Sequence, residues 1–150
     1  MPKGLKHMQS AGQVKLVVDT NVLISILIGK SLGKLKAKLR SGEVQLVFSP
    51  ILLDEFRSVV TRPHFRSYFE PEAVVRFLGL IERTGIKTLD VPAKVAISRD
   101  PKDDYLIMLA KTSRADLLVT GDKDLLVLDG FEGVRIIAPA KLLEELAQRM

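Results

Sequence analysis

VVDTNVLIS, residues 17–25, carries a hydrophobic run into Asp19, Thr20 and Asn21 and then resumes apolar residues at once. A carboxylate, a hydroxyl and an amide inside continuous core each need hydrogen-bond partners there. At the end of a strand, where a helix starts, those partners are at hand. VKLVVD (14–19) therefore reads as a short buried β-branched strand, and NVLISILI (21–28) as the helix that follows it. An apolar strand running straight into a helix is the first half of a βαβ unit, and the rest of the chain repeats the pattern.

LGKLKAKLR (32–40) continues as helix, with Gly29 and Gly33 between the two helical stretches. EVQLVFS (43–49) is a second strand, and Pro50 opens a helix to about Thr61 with Ser49 as its N-cap. PEAVVRFLGLIER (71–83) is another helix, and GIKTLDV (85–91) a short strand. Asp100-Pro101 opens a helix to about Lys111, ADLLVTGD (115–122) is a strand with an acidic end, and VRIIAP (134–139) is a last strand before a terminal helix. Alternating β and α elements, with strands apolar throughout, predict an α/β fold: a three-layer α/β/α sandwich with a mostly parallel central sheet. Residues 1–13 show no periodicity and read as a mobile tail, with Met8 an alternative start, leaving 14–150 as a single domain.

Composition narrows the chemistry. There is no Cys, which removes disulfides, thiolate metal sites and cysteine nucleophiles together, and there are two His, at 7 and 64. Any catalysis falls to carboxylates. The net charge of +5 includes Lys3 and Lys6 of the tail, so the modest excess allows a polyanionic partner without demanding one. The apolar run 16–28 is broken by Asp19 and Asn21, and no stretch approaches the ~20 residues of a membrane span. A cytoplasmic protein without membrane attachment is expected.

In an open parallel sheet, ligands bind beyond the carboxyl ends of the strands. Asp19 ends the first strand, and Asp122 ends LLVTG beside Thr120 and Gly121. In the helix after Pro50, Ile51, Leu52, Leu53, Phe56, Val59 and Val60 define the apolar face, and Glu55 falls at its border with Asp54 opposite. An acid at that border needs a partner, whether a nearby Lys or Arg or a bound cation. SRDPKDDYLIMLA (98–110) adds Asp100, Asp103 and Asp104, more acids than capping requires, so one of them can face the crevice. Carboxylates ~4 Å apart repel by about 4 kcal/mol at an effective dielectric near 20. Oxygen-only ligands select a hard ion, Mg²⁺ or Mn²⁺, and such a site suits in-line attack of water on a phosphodiester.

VVDTNVLIS, LLDEFRSVV and DPKDDYLIMLAKTSRADLLVTGDKDLL, in this order, resemble PIN-domain proteins, in particular those classed as toxins of prokaryotic toxin–antitoxin pairs. The resemblance runs from Val14 to the last helix. It implies a Mg²⁺- or Mn²⁺-dependent endoribonuclease. Its metal-holding catalytic acids would be Asp19, Glu55, Asp103 and Asp122, with Asp104 a rival to Asp103, and Asp124 a further acid near Asp122. Thr20, Asn21 and Thr120 would orient those carboxylates or water by hydrogen bonds; otherwise they serve a helix cap and a strand-end turn. The likeness also implies a small antitoxin partner and a homodimer. Lys30, Lys34 and Lys38 recur every four residues, with Lys36 and Arg40 on neighbouring faces, and form either an RNA-tracking stripe or a solvated helix face. Arg62, His64 and Arg66 pose the same choice. Three other readings compete: a phosphoacceptor receiver domain or an aspartate-nucleophile phosphatase, whose acids fit poorly; an idle scaffold binding RNA or protein; and an RNA-processing nuclease that is no toxin.

Overall fold

The structure, a computed structural model, describes residues 13–148. The expected tail falls almost wholly outside them. Gln13, assigned to that tail, is anchored instead: its amide Nε2 donates to the Gly42 carbonyl at 3.0 Å.

β1 (Val14–Val18) leads through Asp19 into α1 (Thr20–Ile28) and, after a short turn, α2 (Gly33–Ser41). β2 (Val44–Phe48) is followed by α3 (Pro50–Val60), the single turn α4 (Pro63–Arg66) and α5 (Pro71–Thr84). Then come β3 (Ile86–Lys87), a 3₁₀ turn (Pro101–Asp103), α6 (Asp104–Ser113) and β4 (Leu117–Val119). The chain ends with α7 (Lys123–Leu126), a second 3₁₀ turn (Phe131–Gly133), β5 (Ile136–Ile137) and α8 (Pro139–Gln148).

Every strand pairing is parallel, in the order β3-β2-β1-β4-β5. The register sets Leu16 opposite both Leu46 and Leu117, so β1 is the central strand. Val14, Leu16, Val17 and Val18 are almost wholly buried, as a strand covered on both faces must be. α1, α2, α3 and α5 pack on one another, while α6 lies across β1, β2 and β4, which completes the α/β/α sandwich. The chain runs from β1 outward to β3, then returns to the other side of β1 for β4 and β5. That reversal opens a crevice at the carboxyl ends of β1 and β4.

Three local expectations are corrected. The strands at 85–91 and 134–139 shrink to two residues each, because each outer strand pairs on one side only. The helix expected from Pro101 begins as a 3₁₀ turn, capped by the Asp100 carboxylate, which accepts from Lys102 N at 3.0 Å, and becomes α-helical at Asp104. Ile51, assigned to the buried face of α3, is 46% exposed in the first turn of that helix.

Candidate active site

The crevice is a cleft of about 820 Å³, and Asp19, Glu55, Asp103 and Asp122 all line it. Four separate segments supply them: the β1–α1 junction, the middle of α3, the 3₁₀ turn before α6, and the N-cap of α7 just past β4. Thr20, Asn21 and Ser25 of α1 share the lining.

Asp19 is buried at the junction the sequence marked. Its Oδ1 caps α1 by accepting from Val22 N at 2.8 Å, and its Oδ2 accepts from the Thr120 hydroxyl. The same Thr120 oxygen accepts from Asp122 N at 3.0 Å, so one buried hydroxyl ties the ends of β1 and β4 together. Burial pushes the Asp19 carboxyl above its ordinary value, the nearby charges of Asp122 and Glu55 add to this, and the bonds from Thr120 and Val22 oppose it.

Glu55 is half-buried at the border of the apolar face, as the helical periodicity predicts. No Lys or Arg neutralises it among the described residues. Its Oε1 accepts from the Thr20 hydroxyl and, at 2.8 Å, from the Tyr105 hydroxyl. Burial and the bond to Glu55 raise the Tyr105 phenol, so it remains a donor. α3 is fixed at its start by Ser49 Oγ, accepting from Leu52 N at 3.3 Å, and by Asp90 Oδ2, accepting from Ile51 N at 3.0 Å.

The Asp103 carboxyl is pushed up to about 6, first by burial, then by the charges of Asp100, Asp122 and Glu55, and by a hydrogen bond with Asp122. Asp104 points away from the cleft. Its carboxylate accepts from Ile97 N at 2.9 Å, from Ser98 N at 2.8 Å and from the Ser98 hydroxyl. Geometry thus separates the two rivals: Asp103 faces the cleft and Asp104 clamps the loop before the 3₁₀ turn. Asp124 also lies outside the cleft lining, its backbone N donating to Asp122 Oδ1 at 2.9 Å.

Thr20 and Thr120 each bond one of the predicted carboxylates. Asn21 lines the cleft, but its side chain bonds neither Asp19 nor Glu55 among the described residues; its carbonyl accepts from Ser25 Oγ at 3.1 Å. Tyr105 escaped the sequence reading because it heads the apolar run of α6, where a tyrosine reads as core. Arg62, one of three cations left undecided in the sequence, is the cation lining the cleft. Of the lysines read as either a stripe or a solvated face, Lys38 is paired with Glu43 at 2.9 Å, while Lys30 and Lys34 are exposed.

The acids share a cleft, yet among the described residues no three of them close around a single point. The sequence reading expected tighter clustering. Mutual repulsion holds like charges apart, and Mg²⁺ commonly binds through one or two carboxylates while keeping waters and accepting phosphate oxygens. The donor set is oxygen-only, and burial with neighbouring negative charge raises the carboxyls of Asp19 and Asp103, which fits a hard divalent ion.

Comparison with known proteins agrees with this architecture. The chain is 29% identical over 119 residues to the uncharacterised protein MJ1680 of Methanocaldococcus jannaschii, covering 77% of this chain and 76% of that one. It superimposes on the crystal structure of PAE2754 from Pyrobaculum aerophilum with a TM-score of 0.62 at 18% identity, covering 99% of both chains, a likeness of fold. Among the described residues no helix is long and apolar enough to cross a membrane. The PIN domain family model matches residues 15–124, from the second residue of β1 to just past Asp122, and with that match across β1 to β4 and all four cleft acids the chain belongs to the PIN domain family, a nuclease-type fold.

Proposed function

We propose that the protein is a divalent-metal-dependent endoribonuclease. One observation carries the reading: four acids from four segments line a single cleft at the switch point of the sheet. Asp19, Glu55 and Asp103 would hold a Mg²⁺ or Mn²⁺ ion, with Asp122 completing the site. When bound, the ion supplies an acidified water and offsets charge on the phosphodiester.

The chain's own groups do the rest. Thr120 fixes the Asp19 carboxylate from one side and the Val22 amide fixes it from the other. Thr20 and Tyr105 both donate to Glu55 Oε1, which orients that carboxylate and leaves Oε2 without a hydrogen bond among the described residues. Asp103, pushed up to about 6 by its burial and its acidic neighbours, must give up that proton before it can hold the ion. Motif order extends the proposal to a toxin role restrained by a small antitoxin, acting as a homodimer in the cytoplasm.

The test is cleavage of a labelled single-stranded RNA by the purified chain with Mn²⁺ and with chelator. Cleavage that needs the ion and disappears in Asp19→Asn and Glu55→Gln is the expected result. Binding without cleavage would instead favour the idle scaffold. Growth arrest on expression, relieved by a neighbouring gene product, tests the toxin role.

A further inference from the structure

A second, smaller cavity of about 140 Å³ lies where α1, α2 and α5 meet, and its charged lining is entirely cationic: Lys36, Arg40 and Arg76, over a floor that includes Leu27 and Phe77. None of the three makes a salt bridge among the described residues. Lys36 Nζ donates to the Leu27 carbonyl at 3.1 Å, one of the orphan carbonyls at the end of α1, which fixes the ammonium in place with donors to spare. Burial, and then the charges of Arg40 and Arg76, push the Lys36 ammonium below its ordinary value, as expected where like charges converge without an anion.

Between this pocket and the acid cleft, one row of positions along α1 carries no charge. Asn21 and Ser25, exposed on α1, line the cleft and stand one turn apart, and Gly29 follows one turn later. A Cβ on Gly29 would lie 3.7 Å from Lys36 Nζ, so the ammonium sits directly beyond that glycine. At 1.5 Å per residue, Asn21 to Gly29 spans about 12 Å. A small, uncharged polar stripe therefore joins a cleft that demands a cation to a pocket that demands an anion.

We propose that Lys36, Arg40 and Arg76 form a phosphate-binding pocket that takes a backbone phosphate of a single-stranded RNA whose reacting phosphodiester lies in the acid cleft. The strand rests on the nuclease reading above; the phosphate pocket does not. Guanidinium forks match phosphate oxygens two at a time, and the cavity accommodates one such group.

The experiment uses the intact chain in chelator, with binding of a fluorescent single-stranded RNA followed by anisotropy across a salt series. The doubly substituted Arg40→Gln/Arg76→Gln chain is expected to bind more weakly, with a log–log salt slope shallower by about 0.7 for the one phosphate lost. Arg40→Lys/Arg76→Lys, which keeps the charge, should retain the parental slope. Lys36 stays in place because it also caps α1. A dinucleotide has a single phosphodiester and cannot reach both sites, so its cleavage with Mn²⁺ should be equal in parent and variant. Parental affinity and slope in the Gln variant overturn the proposal. If RNA binding is unchanged but pyrophosphate raises the melting temperature of the parent and not of the variant, the strand is overturned and a free phosphoryl ligand takes its place. A parent that cleaves no RNA yet loses phosphate-dependent binding on substitution sinks the nuclease reading and leaves the pocket standing.

Discussion

Asp103 and Asp104 are adjacent and opposite in consequence. Burial alone would raise the Asp104 carboxyl, but the bonds from Ser98 and Ile97 hold it below its ordinary value. Its stabilising contribution is therefore full above the unfolded value of 3.8 and fades as the solution is acidified. Asp104→Asn leaves buried donors facing another donor and should lower stability at neutral pH by about 1–3 kcal/mol, read from the urea midpoint. Asp103 behaves in the reverse sense. With its carboxyl near 6 when folded, the native chain binds the extra proton, and the contribution of this group falls as pH rises from 3.8 to about 6. Asp103→Asn should abolish cleavage while melting at or above the parental temperature near pH 7. The sequence favoured Asp103 and kept Asp104 as its rival, since the two acids are adjacent at the start of one helix; the 3₁₀ turn aims Asp103 at the cleft while Asp104 bonds Ile97 and Ser98.

Among the elements, the α5–β3 turn is the least forgiving. A Cβ on Gly85 would lie 2.6 Å from the Ile81 carbonyl and 2.7 Å from the Leu46 carbonyl, both backbone atoms that cannot swing aside. Gly85→Ala should destabilise by about 1–3 kcal/mol through overpacking, measured by denaturant unfolding, and should detach β3 first because it pairs with β2 alone. The central elements were legible in sequence because both faces of β1, β2 and β4 are covered, which enforces unbroken apolar runs. The outer strands were overdrawn, since alternation at 85–91 and 134–139 continues past the few residues with a partner to bond. α4 and α7, each four residues long, left no periodic signal to detect. Within the site, acids at strand ends could be placed from the pattern, whereas Tyr105 and the union of Arg76 with α2 depend on which helices touch.

At the scale of the molecule, the acid cleft and the cationic pocket form two opposite electrical poles at the two ends of α1, and net charge conceals this. The cleft's appetite for a divalent ion should depend on protons. Ion and proton compete for Asp103, so Mn²⁺ affinity should climb as pH rises through about 6 and level off above it, as titration calorimetry at a series of pH values would show. Asp103→Asn should bind the ion more weakly and flatten that climb. A profile unchanged between parent and variant would remove Asp103 from the ion's environment.

The central position of β1 also has a consequence for how the protein comes into being. β1 and β2 can pair as soon as they are made, but the far flank of β1 stays bare until Leu117–Val119 arrives, and Asp122 follows only three residues later. On the nuclease reading, a ribosome translating this message carries a harmless fragment until β4 and Asp122 have emerged. The blade is assembled only once β4 lies beside β1, and a fragment stopping short of β4 should cut nothing.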